Sequence, residues 1–211
     1  YMAVAYAKDE IDSVLDTTIV FASSSDEGVS FGTSTIAASL DQNNQGHIAG
    51  IALNNHTAGL NTVHVAYTSG VNTPGPVNLI YASSTDNGGS FVATTVDTGL
   101  EGAYGPMAFG TNGEASLAID DFGRPGISYH KISAITAGVP DCPPACVMSA
   151  SVMYGLQNTS TLAWATSTVD NFSANLTLPG SDVNTAMDFY SEDAPLVAYL
   201  PYDGTYVAKL G

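Results

Sequence analysis

Two short stretches place carboxylate, hydroxyl and glycine at the same spacing: Ser24-x-Asp26-x-Gly28-x-Ser30-Phe31 and Ser84-x-Asp86-x-Gly88-x-Ser90-Phe91. Paired carboxylates at a suitable separation run glycoside hydrolysis, so Asp26 and Asp86 raise that chemistry first. A second acidic and aromatic set is spread over what read as loops: Asp9, Glu10, Asp12, Asp16, Asp41, Glu101, Tyr104, Asp141, Tyr202 and Asp203. Carboxylates there could act on a glycosidic bond and tyrosines could stack on sugar rings. The plainer reading of the same residues is a solvated acidic loop face. No Gly-x-Ser-x-Gly, phosphate loop or His-Glu-x-x-His occurs, and His47, His56, His64 and His130 lie in separate parts of the chain without ligand spacing.

The elements that must position these residues recur along the chain. Four short strands place a tyrosine after small and β-branched residues: MAVAYAKD, TVHVAYTS, PGISYHKI and PLVAYLPY, with Tyr6, Tyr67, Tyr129 and Tyr199. A second β-rich strand follows each, TTIVFASS, VNLIYASS, SASVMYGL and GTYVAKLG. Phe21 precedes Phe31 by ten residues, Tyr81 precedes Phe91 by ten, and Tyr154 precedes Trp164 by ten. LQNTSTLAW is thus a third copy of the motif that has lost Ser, Asp and Gly and kept its aromatic, Trp164. One further strand follows each motif and another precedes each tyrosine strand, which makes four strands per unit. The expected fold is all-β: a β-propeller of four-stranded antiparallel blades, about three and a half of them, belonging to a larger ring. Approximate units are 1–41, 42–100, 101–170 and 171–211. The stretch DEIDSVLD is the one helical candidate and reads better as a loop.

The repeated motif resembles the Asp-box, or BNR repeat, of the sialidase-like propeller superfamily. In that setting it is a hairpin between the third and fourth strands of a blade. Aspartate accepts backbone N–H bonds, glycine supplies positive φ, the hydroxyls bond locally and the aromatic plugs between sheets. Asp26 and Asp86 are therefore expected to be scaffold. The resemblance also implies an arginine triad that clamps a substrate carboxylate, and Arg124 is the chain's one arginine. A complete sialidase site is excluded within these residues, because lysine does not imitate bidentate clamping. Arg124 itself lies in DDFGRPG, a turn expected on the hairpin side of the blade, with ligand loops on the other side.

Composition narrows the partners. Lys and Arg total 4 against 20 Asp and Glu, a net charge of −16, so neither nucleic acid nor an anionic membrane is a fitting partner. No apolar run reaches the length of a membrane-spanning helix. Polarity carried by Ser, Thr, Asn and Gly, together with sequons at Asn55, Asn158, Asn171 and Asn175, leans toward an extracellular or cell-surface protein. The opening YMAV reads as strand, which suggests a trimmed or mature chain. Cys142 and Cys146 in DCPPACVM are expected to close a local disulfide, with free thiols the alternative and a two-ligand metal hook a distant third. DQNNQG, residues 41–46, faintly resembles a calcium loop but lacks the later glutamate. No cofactor is otherwise expected. The leading functional expectation is a non-catalytic binding or structural module for a glycan or protein partner. Self-association or a further chain segment would complete the ring. The alternative is part of a sialidase-like glycoside hydrolase or lyase whose catalytic residues lie partly elsewhere.

Overall fold

The computed structural model describes residues 2–9, 17–40, 48–54, 62–70, 77–100, 115–136, 146–176, 185–191 and 194–199. Among these the regular elements are all strands, in four antiparallel sheets that follow chain order. Sheet one holds β1 (Met2–Asp9), β2 (Thr17–Ser24) and β3 (Gly32–Leu40). Sheet two holds β4 (Ile48–Asn54), β5 (Thr62–Gly70), β6 (Val77–Ser84) and β7 (Val92–Asp97). Sheet three holds β8 (Ala115–Ile119), β9 (Pro125–Thr136), β10 (Cys146–Gln157) and β11 (Trp164–Leu176); sheet four holds β12 (Thr185–Ser191) and β13 (Ala194–Tyr199). Every neighbouring pair is an up-and-down meander, the architecture of propeller blades. Sheet one begins at the second-strand position, with β1 matching β5, β9 and β13. GTYVAKLG, the strand expected next in sheet four, lies outside the described residues.

The sheets pack face to face, which explains why their middle strands read as apolar runs rather than clean alternation. In β5 every residue from Val63 to Thr68 is buried. Val63, Val65 and Tyr67 face sheet one with Ile19 and Phe21, while Ala66 joins Leu79, Tyr81 and Ile127 between sheets two and three. Between sheets three and four lie Val152, Met187, Val197 and Tyr199. Full burial of a Val, Ile or Tyr of this kind contributes roughly 1.5–3 kcal/mol, so each interface is held mainly by area removed from water.

The fourth strands carry one device three times. Register slips at Ile19/Val20, at Leu79/Ile80 and at Val152/Met153, so that Ile36, Val96 and Val169 are the extra residues of β-bulges. All three extra residues join inter-sheet clusters. The next residue is Ala37, Asp97 or Asp170. Tyr129 donates to Asp97 Oδ2 at 2.8 Å and Tyr199 to Asp170 Oδ2 at 2.5 Å, bonds that tie each of these fourth strands to the second strand of the following sheet. Lys131 Nζ adds 2.8 Å bonds to both oxygens of Asp97. Burial alone would raise the Asp97 pKa, but the Lys131 and Tyr129 bonds outweigh it and hold the carboxyl below its ordinary value. Between sheets one and two Ala37 takes the aspartate's place, and Tyr67 is buried in the cluster with Ile19 and Phe21.

His64 and His130 are the strongly perturbed bases. Burial pushes both down to about 4 from an ordinary 6.5, and His64 Nδ1 sits 2.6 Å from the Tyr81 hydroxyl. A depressed folded-state value means the neutral form is the one the fold accepts. Its contribution is present above pH 6.5 and lost as pH falls toward 4. Equilibrium urea unfolding across that window should show stability dropping by up to ~1.4 kcal/mol per pH unit for each histidine. In the same assay at neutral pH, Asp97→Ala should destabilise by about 1–3 kcal/mol through the stranded Tyr129 and Lys131 donors, without unfolding the chain.

Candidate functional site

The two full motifs form superposable hairpins joining β2 to β3 and β6 to β7. In the first, Glu27 (φ 59°) and Gly28 (φ 88°) are the central residues of a turn closed by Val29 N–H donating to Asp26 C=O at 3.3 Å. Two successive positive φ values mark the mirror-image turn that matches strand twist, and glycine tolerates the second without strain. Asn87 (φ 59°), Gly88 (φ 88°) and the 3.2 Å bond from Gly89 to Asp86 repeat it.

The side chains saturate one another. Ser24 donates to Asp26 Oδ1 at 2.6 Å and accepts the N–H groups of Gly28 at 2.8 Å and Asp26 at 3.3 Å. Asp26 accepts the Ser30 N–H at 2.9 Å and the Ser30 hydroxyl at 2.6 Å. Ser84, Asp86, Gly88 and Ser90 reproduce every bond, at 2.6, 2.8, 3.3, 2.9 and 2.7 Å. Bonds from the first and last serines hold the Asp86 carboxyl down to about 2 and Asp26 lower still. Such a carboxylate neither gives nor takes a proton near neutral pH and has its lone pairs engaged, so these aspartates work as turn locks.

The third copy folds by other means. Asn158 Oδ1 accepts from Ser160 at 2.9 Å and Thr161 at 3.1 Å, and Leu162 (φ 57°) takes the left-handed position. Gln157 Nε2 donates to the Leu162 carbonyl at 3.2 Å. Sequence reading missed Asn158 because it sits one position from the expected aspartate; an amide-bearing residue right after the strand was the available signal.

The motif aromatics behave as inter-sheet contacts in two cases out of three. Phe91 meets Phe21 edge-on at 5.5 Å and Trp164 meets Tyr81 at 5.2 Å, each touching the third strand of the sheet before it. Trp164 Nε1 donates to Thr94 on that sheet's fourth strand at 3.3 Å, and Ser34, at the matching position of sheet one, donates to the Gly88 carbonyl. Phe31, expected to plug between sheets, is exposed instead, because no described sheet precedes sheet one.

The β8–β9 turn opens at the same end as the β10–β11 hairpin, since Gly126 pairs with Leu156 and Gln157 with Trp164. Asp120, fully buried, accepts the N–H groups of Phe122 at 3.0 Å and Arg124 at 2.7 Å, and Arg124 Nε at 2.5 Å. Arg124 also lies 5.2 Å over the Phe122 ring. The chain's one arginine is thus bound into a turn lock of its own.

Of the acidic and aromatic loop set, Asp9 ends β1. Glu10, Asp12, Asp16, Asp41, Glu101, Tyr104, Asp141, Tyr202 and Asp203 lie outside the described residues, as do Cys142 and the 41–46 loop; Cys146 opens β10. Strand directions place the loop ends of β1 (Asp9), β7 (Asp97) and β9 (Thr136) at the end opposite the hairpins. Among the described residues, no three His, Cys, Asp or Glu side chains form a group that could hold a metal ion.

Stacked four-stranded meanders with repeated hairpins at one end define a β-propeller. Among solved structures, the high-resolution structure of Penicillium chrysogenum alpha-L-arabinanase complexed with arabinobiose is similar in fold, with a TM-score of 0.54 at 13% identity. The match covers 99% of this chain and 55% of that one, so the chain spans about half the length of that protein. No family model matches the chain, and no curated protein sequence matches it.

The twin hairpins differ in one respect that can be measured. A Cβ on Gly88 would lie 2.0 Å from Phe21 in the core, whereas one on Gly28 would meet the Met2 sulfur at 3.2 Å. Both alanines bear left-handed strain of roughly 1–2 kcal/mol, and displacing Phe21 adds about 1–3 kcal/mol. Thermal melts should therefore rank Gly88→Ala clearly below Gly28→Ala.

Proposed function

We propose that this chain is an extracellular, non-catalytic propeller module of the Asp-box, sialidase-like kind, which binds a glycan through the loops opposite its hairpins. The observation that carries this reading is how the polar groups of the hairpin end are used. Asp26, Asp86, Asp120 and Arg124 are all bonded to their own turns, so that end offers little to a ligand. In the sequence the acidic and tyrosine residues follow β1, β7 and β9, strands whose ends lie opposite the hairpins, which supports a ligand site at that end. Tyrosine faces and carboxylate acceptors suit neutral sugars rather than anionic ones, which a net charge of −16 would repel. The Ser- and Thr-rich surface, the sequons and a Cys142–Cys146 disulfide fit secretion.

The likeness to an arabinanase favours a second reading, in which the chain is part of a glycoside hydrolase whose catalytic carboxylates lie partly beyond these residues. Two assays separate the readings. Incubation with neutral arabino-oligosaccharides and with sialyllactose should yield no hydrolysis products by chromatography. Titration of the neutral oligosaccharide into 15N-labelled protein should shift a limited set of resonances, outside the hairpins. Steady turnover of either sugar would overturn the non-catalytic reading, and absence of any shift would overturn the glycan reading.

A further inference from the structure

Four asparagines head an Asn-x-Ser/Thr sequon: Asn55, Asn158, Asn171 and Asn175. The structure separates them. Asn55 lies outside the described residues. Asn171 and Asn175 lie within β11, where their backbones pair with Ser151 and Val147, and the Asn171 Oδ1 accepts the Ser151 hydroxyl at 2.6 Å. Of the three in described residues, Asn158 stands outside any strand, in the β10–β11 hairpin, and every residue from 158 to 163 is exposed. An exposed turn is the setting in which a sequon can carry a bulky sugar without disturbing a strand ladder.

The Asn158 carboxamide is used on one side only. Its Oδ1 accepts the N–H groups of Ser160 and Thr161, its backbone N–H donates to the Ala163 carbonyl at 2.9 Å, and its backbone carbonyl accepts the Leu162 N–H at 2.7 Å. Among the hydrogen bonds of the described residues, none uses Asn158 Nδ2 or the Ser160 hydroxyl. The two side-chain groups that define the sequon are therefore both uncommitted on an exposed turn.

We infer that Asn158 is an N-glycan acceptor whose carboxamide serves two ends with two atoms: Oδ1 closes the turn and Nδ2 carries the sugar. The donor class is a lipid-pyrophosphate-linked oligosaccharide. Nδ2 bonds to the anomeric carbon, the bond from that carbon to the pyrophosphate oxygen breaks, and the lipid pyrophosphate leaves while Nδ2 gives up one proton. The product is still a carboxamide. Its carbonyl oxygen can keep both backbone bonds, so the turn tolerates the modification. Asp26 and Asp86 offer no such nitrogen, which makes the degenerate third copy of the motif the one of the three hairpins whose turn lock can also hold a glycan. That glycan would project from the hairpin end and leave the opposite loops clear. The inference rests on the extracellular part of the proposed function and not on sugar binding.

The test uses the whole chain behind a cleavable secretion leader in cultured animal cells. An amidase that releases N-glycans converts each occupied asparagine to aspartate, and in heavy-oxygen water the conversion is read by peptide mass spectrometry. Most of the Asn158 should be converted. Ser160→Ala should abolish conversion at that position while leaving the backbone bonds of the turn in place, and Ser160→Thr should retain it. If Ser160→Ala fails to fold, Asn158→Asp takes its place, since it keeps the Oδ1 acceptor and loses the nitrogen. Occupancy is measured in the cell-associated and secreted pools alike, because glycan transfer precedes export. Retention in the cell counts against the extracellular reading and still leaves the Asn158 result legible. Asn158 that is mostly unconverted in both pools overturns the inference, whatever the other sequons carry. So does conversion that survives Ser160→Ala, or glycosylated wild type that melts well below Ser160→Ala, since the sugar would then be disrupting the turn.

Discussion

Sheets two and three bury apolar residues on both faces, and that constraint organises the rest. An antiparallel sheet with one wet face can stand alone on a single core. A sheet whose second strand buries Val63 and Val65 on one side and Ala66 on the other needs a neighbour on each side. Stacking in chain order satisfies this with short connections, and the twist of successive sheets turns the stack about an axis. The bulges at Ile36, Val96 and Val169 serve the same need by turning a fourth-strand residue into the interface. Two of them also set an aspartate where the next tyrosine can reach it.

Against that scaffold the hairpins are local, self-contained objects. Each closes its polar groups upon itself within eight residues, and the ionised carboxylate at its centre is held by three or more donors before any neighbour is considered. A group so fully bonded is a poor catalyst for the reason that makes it a good lock: ligation would require breaking bonds already made. The Asp120–Arg124 turn adds a charge pair to the same kind of lock, with Arg124 giving its Nε to the buried carboxylate.

Much of this was legible in the residues. Strand order, four-strand units and hairpin placement follow from a tyrosine strand and a motif aromatic that recur at constant offsets, because turn chemistry and period-two alternation act over a few residues. The bulge-and-aspartate device was also written in the chain, as Val96-Asp97 and Val169-Asp170, five and six residues after each aromatic, but its meaning was not. Nothing in a dipeptide says that its carboxylate meets a tyrosine some thirty residues away. Asn158 escaped for a related reason: a different residue at a shifted position closes the same turn when the backbone adopts another left-handed site.

By itself, the sequence determined the hairpins and the repeat, since those depend on φ preferences and hydrogen bonds between residues close in the chain. Tertiary structure alone decided burial. Met2, Val4 and Tyr6 are spelled much like Val63, Val65 and Tyr67, and Phe31 occupies the place of Phe91, yet one set lies open and the other is sealed. The hydrophobic effect acts on area removed from water, and that area belongs to a residue together with whatever packs against it, never to the residue alone.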